Sequence, residues 1–123
     1  MQVFLVEDSI PVRERLVAML QALPDTEVVG HASAADAAIC GILAAQPDVV
    51  LIDISLASGS GFDVLRAVQS EAPEIDVYML SSFVAYPYRQ LAETLGARGF
   101  FDKTQDMDRV RELIAERAAQ PQH

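Results

Sequence analysis

The sequence predicts a three-layer α/β fold in which a parallel sheet lies between two layers of helices. Short apolar runs typical of strands alternate five times with longer segments of helical period along the 123 residues. The third run, VVLID at positions 49–53, is apolar enough for a strand that is buried on both faces. Alternation of this kind favours parallel strands joined by helical crossovers.

The first half of the chain supplies two βα units. The run VFLV predicts a first strand, and apolar residues at positions 12, 16 and 20 share one face of the helix that follows. Pro11 fits the first turn of that helix and Pro24 lies just beyond its end. VVGHA predicts a weaker second strand, and an Ala-rich helix follows, with Cys40 expected in its buried face. These four elements are predicted at residues 3–6, 12–23, 28–32 and 34–45.

The second half of the chain continues the pattern. After the central strand, a loop of small residues at 57–61 precedes a helix that ends near Pro73. VYML predicts the fourth strand and GFF a short fifth strand, while Asp106 and Asp108 suit the start of the last helix. The predicted elements are residues 49–53, 62–73, 77–80, 88–95, 99–101 and 107–119.

Right-handed crossovers leave few ways to order five parallel strands. The compact solution is the flavodoxin-like (βα)5 arrangement, a five-stranded parallel sheet of order 2-1-3-4-5. Its switch point lies between strands one and three, so the residues that follow these two strands are expected to be neighbours.

Size and charge narrow the function classes. The chain is long enough for one domain, predicted at residues 1–119 with a short tail at 120–123. Its net charge of −9 argues against direct binding of nucleic acid by this domain. No apolar run is long enough to cross a bilayer, the first strand leaves no room for a signal peptide, and a single cysteine excludes an internal disulfide. We therefore expect a cytoplasmic protein without a membrane partner.

Three carboxylates are predicted to meet at the switch point. Glu7 and Asp8 follow the first strand, and Asp53 ends the third. Taken alone, Glu7 and Asp8 are weak evidence for a metal site, because acidic residues are also common near a helix N-terminus. Three converging acids, however, repel one another unless a cation offsets their charge. Oxygen ligands of this kind favour Mg²⁺.

Two further groups are predicted at the same edge of the sheet. Ser81 ends the fourth strand and Lys103 follows the fifth. A metal, a carboxylate nucleophile, a hydroxyl and a lysine together are typical of a phosphoryl-transfer site. Asp53 would form an aspartyl phosphate there, with positive charge supplied by Mg²⁺ and Lys103.

At this point the chain resembles the receiver domains of response regulators in two-component signalling, over essentially its whole length. The matching features are the acid pair after strand one, Asp53 after strand three and Gly61 eight residues later. Ser81 after strand four and Phe100 three residues before Lys103 complete the pattern. Each feature alone is weak, and the five in order at family spacing are specific.

The resemblance implies a role for each matching residue. Asp53 would accept a phosphoryl group from a sensor histidine kinase or a phosphotransfer protein. Asp8, Asp53 and the Ser55 backbone carbonyl would bind Mg²⁺, with Glu7 acting through water, and Lys103 would contact the phosphoryl group.

The resemblance also implies a switch. Ser81 would move to the phosphoryl group and Phe100 would turn inward, which changes the surface of helix 4, strand 5 and helix 5. That surface would bind a downstream protein effector or form a homodimer. The backbone N–H groups of Ile54 and Ser82 would also contact the phosphoryl group.

The chain departs from the family pattern at several loop positions. Ala57 stands where the family often has Pro, and Ser82 replaces the usual Ala. Thr104 replaces the Pro that usually follows the family's lysine in a cis peptide, so we expect a trans bond here or a strained exception. Ser55 and Phe83 occupy positions that tune dephosphorylation, and we hypothesise that Phe83 hinders the attacking water.

Two other functions are open. The chain resembles receivers that precede a DNA-binding output domain, so it could be the N-terminal part of a transcriptional regulator. From its length of 123 residues we expect instead a stand-alone receiver that acts through a protein partner. The second alternative, less favoured, is a small phosphohydrolase with an aspartyl nucleophile. Such enzymes carry an Asp-x-Asp motif after their first strand. Here the candidate nucleophile Asp53 follows strand three, and the residue two positions later is Ser55. We therefore expect self-phosphorylation and slow autodephosphorylation rather than enzymatic turnover.

Overall fold

The structure is a computed structural model that describes residues 1–82 and 86–120. In the described part of the chain, five parallel strands form one sheet in the order β2-β1-β3-β4-β5, with a helix in each of the four connections and a fifth helix after β5, which confirms the predicted flavodoxin-like arrangement. The strands are β1 Gln2–Val6, β2 Glu27–Ala32, β3 Val49–Asp53, β4 Asp76–Ser81 and β5 Gly99–Asp102. The helices are α1 Ile10–Gln21, α2 Ala35–Ala45, α3 Gly61–Glu71, α4 Tyr86–Thr94 and α5 Met107–Ala119.

The strand register brings the ends of β1 and β3 together. Val6 pairs with Ile52, so Glu7 and Asp53 leave the sheet side by side. On the other side of β3, Asp53 pairs with Leu80 and so lies beside the end of β4. The polar residues that follow these strands therefore share one edge of the sheet.

The core lies on both faces of the sheet. β3 is buried along its whole length, as its apolar sequence predicts. One buried cluster joins the sheet to α2, α3 and Ala92 of α4, and the other joins it to α1 and α5. The fully buried side chains of these clusters include Leu5, Leu16, Leu20, Ile42, Leu51, Ile52, Leu65, Met79, Leu80 and Ile114.

Local capping fixes where two of the helices start. Ser9 caps α1 and accepts a hydrogen bond from the Val12 N–H at 3.4 Å, with proline in the first turn, so this helix begins two residues before its predicted start. Ser60 and Asp63 form a reciprocal capping box at the start of α3. Both helices begin at the edge of the sheet that carries the acids.

The prediction that Cys40 is buried is wrong, because its side chain is exposed. The buried positions of α2 are Ala35, Ala38 and Ile42, which recur at helical spacing. Cys40 lies two residues after Ala38 and therefore points away from the sheet.

In the part of the chain that the structure describes, no helix is both long enough and apolar enough to cross a membrane. The domain limits of 1–119 stay a prediction. α5 ends at Ala119, and residues 121–123 of the predicted tail lie outside the described residues.

Candidate functional site

The three predicted acids converge at the edge of the sheet. One carboxylate oxygen from each of Glu7, Asp8 and Asp53 lies within 4.8 Å of the others. Glu7 and Asp53 are 1% and 5% exposed, whereas Asp8 is open to solvent. Together with Lys103 these residues form what we call the acid pocket.

Lys103 places its ammonium between two of the acids. Its Nζ donates hydrogen bonds of 3.0 Å to Glu7 Oε1 and to Asp53 Oδ2. Nζ also lies 2.9 Å from Glu7 Oε2, but this second contact lacks hydrogen-bond geometry. Lys103 is the only lysine of the chain. In the cluster of three carboxylates, this ammonium therefore contacts two, those of Glu7 and Asp53.

Burial makes this charge distribution costly. Desolvation raises the pKa of Glu7 above its ordinary value of 4.5; the hydrogen bond from Lys103 opposes that shift, and the charge of Asp53 adds to it. For Lys103, burial alone would lower the pKa, but the hydrogen bonds to Glu7 and Asp53 raise it above 10.5. The lysine is therefore held charged, while burial disfavours the ionised form of Glu7.

The residues of the acid pocket fit Mg²⁺. All three ligand atoms are carboxylate oxygens, which this hard cation prefers. Glu7 Oε2 is buried and accepts no hydrogen bond from any described residue. A divalent cation with its waters would offset the excess negative charge and give this oxygen a partner.

Gly61 allows helix α3 to start against the backbone of Asp53. A Cβ atom at position 61 would lie only 2.2 Å from the Asp53 carbonyl oxygen, so no other residue fits without displacement. The Gly61 N–H donates to the Ile54 carbonyl at 2.8 Å, and Ser55 forms a bridge with Ser60. The position chosen from sequence spacing thus has a steric reason in the structure.

The loop that contains Ala57 is held by the neighbouring β2–α2 connection. The Ala57 N–H donates to the Ser33 carbonyl at 2.9 Å, and the Ala35 N–H donates to the Ser58 carbonyl at 2.8 Å. These backbone bonds fix the loop at a position where the family often has proline.

The predicted phosphoryl-contacting groups lie beside the acids. Ser81, 2% exposed, ends β4, and its carbonyl accepts a 3.0 Å hydrogen bond from the Lys103 N–H. The Ile54 N–H donates to the Leu80 carbonyl at 3.3 Å, and Ser82 is exposed. A contact of either N–H with a phosphoryl group stays a prediction. Phe83 lies outside the described residues.

The loop after β5 holds Lys103 without a proline. The Lys103–Thr104 peptide bond is trans, as expected from the sequence. Asp102 Oδ1 accepts hydrogen bonds from the Thr104 N–H and hydroxyl, both at 2.7 Å, and from the Gln105 N–H at 3.2 Å. Sequence reasoning missed Asp102, although aspartate side chains often accept a hydrogen bond from the backbone N–H two residues on and so favour turns.

Phe100, the predicted switch residue, is buried and 6% exposed. The Arg89 guanidinium of α4 lies 5.1 Å from the ring centre and donates a 3.3 Å hydrogen bond to the Phe100 carbonyl. A cavity of about 170 Å³ lies beside them, lined by α4 and residues 97–100. We call this region the α4–β5 face. Nothing in the sequence pattern pointed to Arg89, because its contact depends on how α4 is rotated against the sheet.

Comparison with known proteins agrees with this geometry. The family model described as "Response regulator receiver domain" matches residues 3–115. The chain belongs to the response regulator receiver family. This receiver is similar to the DNA-binding transcriptional activator DevR/DosR of Mycobacterium tuberculosis, with 33% identity over 96% of the chain. It is also 30% identical, over 78% of its length, to a protein-glutamate methylesterase/protein-glutamine glutaminase of a Nocardioides species.

Solved structures show the same fold. The signal receiver domain of the response regulator NarL from Mycobacterium tuberculosis has a TM-score of 0.87 and 28% identity, with 98% of this chain and 97% of that chain covered. The response regulator domain of Thermotoga maritima CheB has a TM-score of 0.86 and 23% identity, with 99% and 98% covered. Receivers of differently named regulators therefore share this architecture.

The curated relatives are longer than the match. The chain spans 59% of DevR/DosR and 26% of the Nocardioides methylesterase. The similarity thus concerns the receiver part of those proteins.

Proposed function

We propose that this receiver is a Mg²⁺-dependent phosphoacceptor and that Asp53 is the residue that is phosphorylated. The observation that carries the proposal is the convergence of three carboxylates and the only lysine at the switch point of the sheet. Glu7 and Asp53 both contact Lys103, and of these two acids Asp53 lies at the end of the central strand, between β1 and β4.

The reaction requires few protein groups. A carboxylate oxygen of Asp53 attacks the phosphorus of a phosphohistidine, the new P–O bond forms, the P–N bond breaks, and the imidazole leaves and takes up a proton. Lys103 Nζ already lies 3.0 Å from Asp53 Oδ2, so it would remain close to an oxygen of the transferred group. Its fixed charge would stabilise the negative oxygens in the transition state.

Mg²⁺, when bound, would neutralise part of the phosphoryl charge. Asp8, Asp53 and the Ser55 carbonyl would hold it, with Glu7 acting through water. Glu7 is the most buried of the three acids and contacts Lys103 directly. These features suit a residue that binds the metal only through water and also positions the lysine.

The output would arise at the α4–β5 face. Ser81 follows Leu80, the register partner of Asp53, and Phe100 pairs with Met79 on the same strand. A shift of Ser81 toward the phosphoryl group would therefore act on the β4–β5 pair. Phe100 is already buried, so the change would be a tighter packing of the ring and of Arg89 rather than a long inward movement.

The partners follow from these roles. A sensor histidine kinase or phosphotransfer protein would supply the phosphoryl group in the cytoplasm, and a downstream protein would bind the face of α4, β5 and α5, which could also form a homodimer. The domain would act through modification and slow autodephosphorylation and would not turn over a substrate.

The alternative of a DNA-binding regulator has one observation in its favour. DevR/DosR is a DNA-binding transcriptional activator, and the chain matches 59% of it. In that alternative the same switch would control a further domain, while the receiver itself, at net charge −9, would not contact DNA.

The proposal is tested by phosphorylation with acetyl phosphate and Mg²⁺, followed by intact mass and peptide mapping. We expect one phosphoryl group per chain on Asp53, none with EDTA, and none on Asp53→Asn. Asp36→Asn, an exposed aspartate in the first turn of α2, is the matched control and should behave as wild type. A folded wild-type protein that gains no adduct, or an equal adduct on Asp53→Asn, would contradict the proposal. Many turnovers of a phosphate monoester per chain would favour a phosphohydrolase instead.

A further inference from the structure

The loop from Asp102 to Asp106 is closed by its own side chains. Asp102 Oδ1 accepts three hydrogen bonds, two from Thr104 at 2.7 Å and one from the Gln105 N–H at 3.2 Å. In return, the Asp102 N–H donates to Asp106 Oδ2 at 2.9 Å and the Asp106 N–H donates to the Asp102 carbonyl at 3.0 Å. The hydrogen bonds from Thr104 lower the pKa of Asp102 below 3.8, consistent with an ionised acceptor.

Lys103 is the residue enclosed by this loop. Its N–H is fixed to the Ser81 carbonyl at 3.0 Å, and the bonds around Asp102 fix the backbone on its other side. Its side chain must span from this loop to two buried carboxylates, each at 3.0 Å. A lysine side chain has a flexible four-carbon stem and loses much conformational entropy when it is ordered. The position of its backbone therefore decides how often its ammonium reaches the acids.

We propose that Asp102, through its hydrogen bonds to Thr104 and Gln105, is a positioning residue for Lys103. These hydrogen bonds replace the rigidity that a proline after the lysine would give, and they direct the ammonium toward Asp53. This inference rests on the proposed function, because it concerns the group that would contact the phosphoryl oxygens.

The fact that Lys103 is the only lysine gives a measurement that does not depend on activity. The rate at which an N-hydroxysuccinimide ester acylates the lysine amine, resolved from Met1 by peptide mass, reports how firmly Nζ is held. Asp102→Ala should raise this rate about fivefold or more, because a misplaced side chain leaves its ion pairs. Asp102→Asn retains an oxygen acceptor and should stay near wild type. Asp108→Ala, an exposed aspartate of α5, is the control and should not change the rate.

The phosphorylation rate separates positioning from simple stability. In saturating Mg²⁺ and acetyl phosphate, Asp102→Ala should slow the reaction about tenfold without changing the Mg²⁺ affinity. In a Lys103→Ala background the same substitution should have no further effect, because the two residues act through one contact. Thermal melts establish that each variant is folded at the assay temperature.

Three results would overturn the inference. They are an unchanged acylation rate in Asp102→Ala, an equal rise in acylation for Asp102→Asn, and an undiminished effect of Asp102→Ala when Lys103 is absent. A wild-type protein that is never phosphorylated on Asp53 would instead count against the proposed function, while the acylation rates would still decide whether Asp102 holds Lys103.

Discussion

The acid pocket and the α4–β5 face lie along the same sheet but are held together by opposite means. The acid pocket buries Glu7 and Asp53 around one ammonium, so its groups are closely paired yet carry excess negative charge. The α4–β5 face covers the ring of Phe100 with a guanidinium, beside a cavity of about 170 Å³. The acid pocket is therefore destabilised by its buried negative charge, whereas the α4–β5 face has space in which side chains can repack.

Under the proposed function, this difference would give the two regions different parts of a switch. Binding of Mg²⁺ or modification of Asp53 would change the charge balance where that balance is costly. At the α4–β5 face, Arg89 makes one cation–π contact and one 3.3 Å hydrogen bond to Phe100, so this packing would respond to a small change in free energy. Variants that remove the characteristic group of each region should therefore change stability in opposite directions.

The largest effect is expected for Glu7→Gln in Mg²⁺-free buffer at neutral pH. Because burial raises the pKa of Glu7, its contribution to stability is present below pH 4.5 and is lost as pH rises through the raised folded value. Gln removes this cost and retains an acceptor for Lys103, so the free energy of unfolding in urea should rise by about 1 kcal/mol. The gain should vanish below pH 4.5 and shrink when Mg²⁺ is added.

Glu74→Gln, on an exposed glutamate, is the matched control and should leave the free energy of unfolding at neutral pH close to that of the wild type. A Glu7→Gln protein that is less stable than wild type at neutral pH would show that the pair with Lys103 outweighs the desolvation of Glu7. The pH dependence that Asp102 contributes to stability has the opposite sign. Because its pKa is lowered, Asp102 stabilises the fold above pH 3.8, and this contribution is lost as pH falls through the folded value. The pH dependence of the free energy of unfolding should therefore change in opposite directions in Glu7→Gln and Asp102→Ala.

A smaller effect is expected for Arg89→Met. The substitution keeps a long apolar side chain but removes the charge above Phe100, so it should cost about 0.5–1 kcal/mol of unfolding free energy. Arg109→Met, at an arginine that is 72% exposed, should cost less than half of that. Equal losses in the two variants, measured by urea denaturation, would mean that Arg89 does not hold the ring.

The sequence was sufficient for the fold and for the members of the acid pocket. Apolar runs separate strands from helices, and the ends of parallel strands must meet at one edge, so Glu7, Asp8, Asp53 and Lys103 could be grouped without coordinates. The helix starts were less accurate. α1 begins at Ile10 because Ser9 caps it, and the capping bond is a local choice that periodicity does not register.

Contacts that depend on helix rotation or turn geometry were missed. Arg89 reaches Phe100 only because α4 presents that face to β5, and Asp102 clamps Thr104 only because the loop closes as a turn. The exposure of Cys40 belongs to the same class, since the Ala-rich helix α2 gives little pattern to fix which side faces the sheet. Periodicity indicates that a face exists, and packing decides which residues lie on it.

The central claim is that chemistry at Asp53 changes the α4–β5 face. Amide NMR spectra with Mg²⁺ and beryllofluoride, which mimics a phosphoryl group on a carboxylate, test it most directly. We expect shifts at residues of the acid pocket and also at Phe100 and Arg89 in the wild type, and neither set in Asp53→Asn. Wild-type shifts confined to the acid pocket, with Phe100 and Arg89 unchanged, would contradict the account.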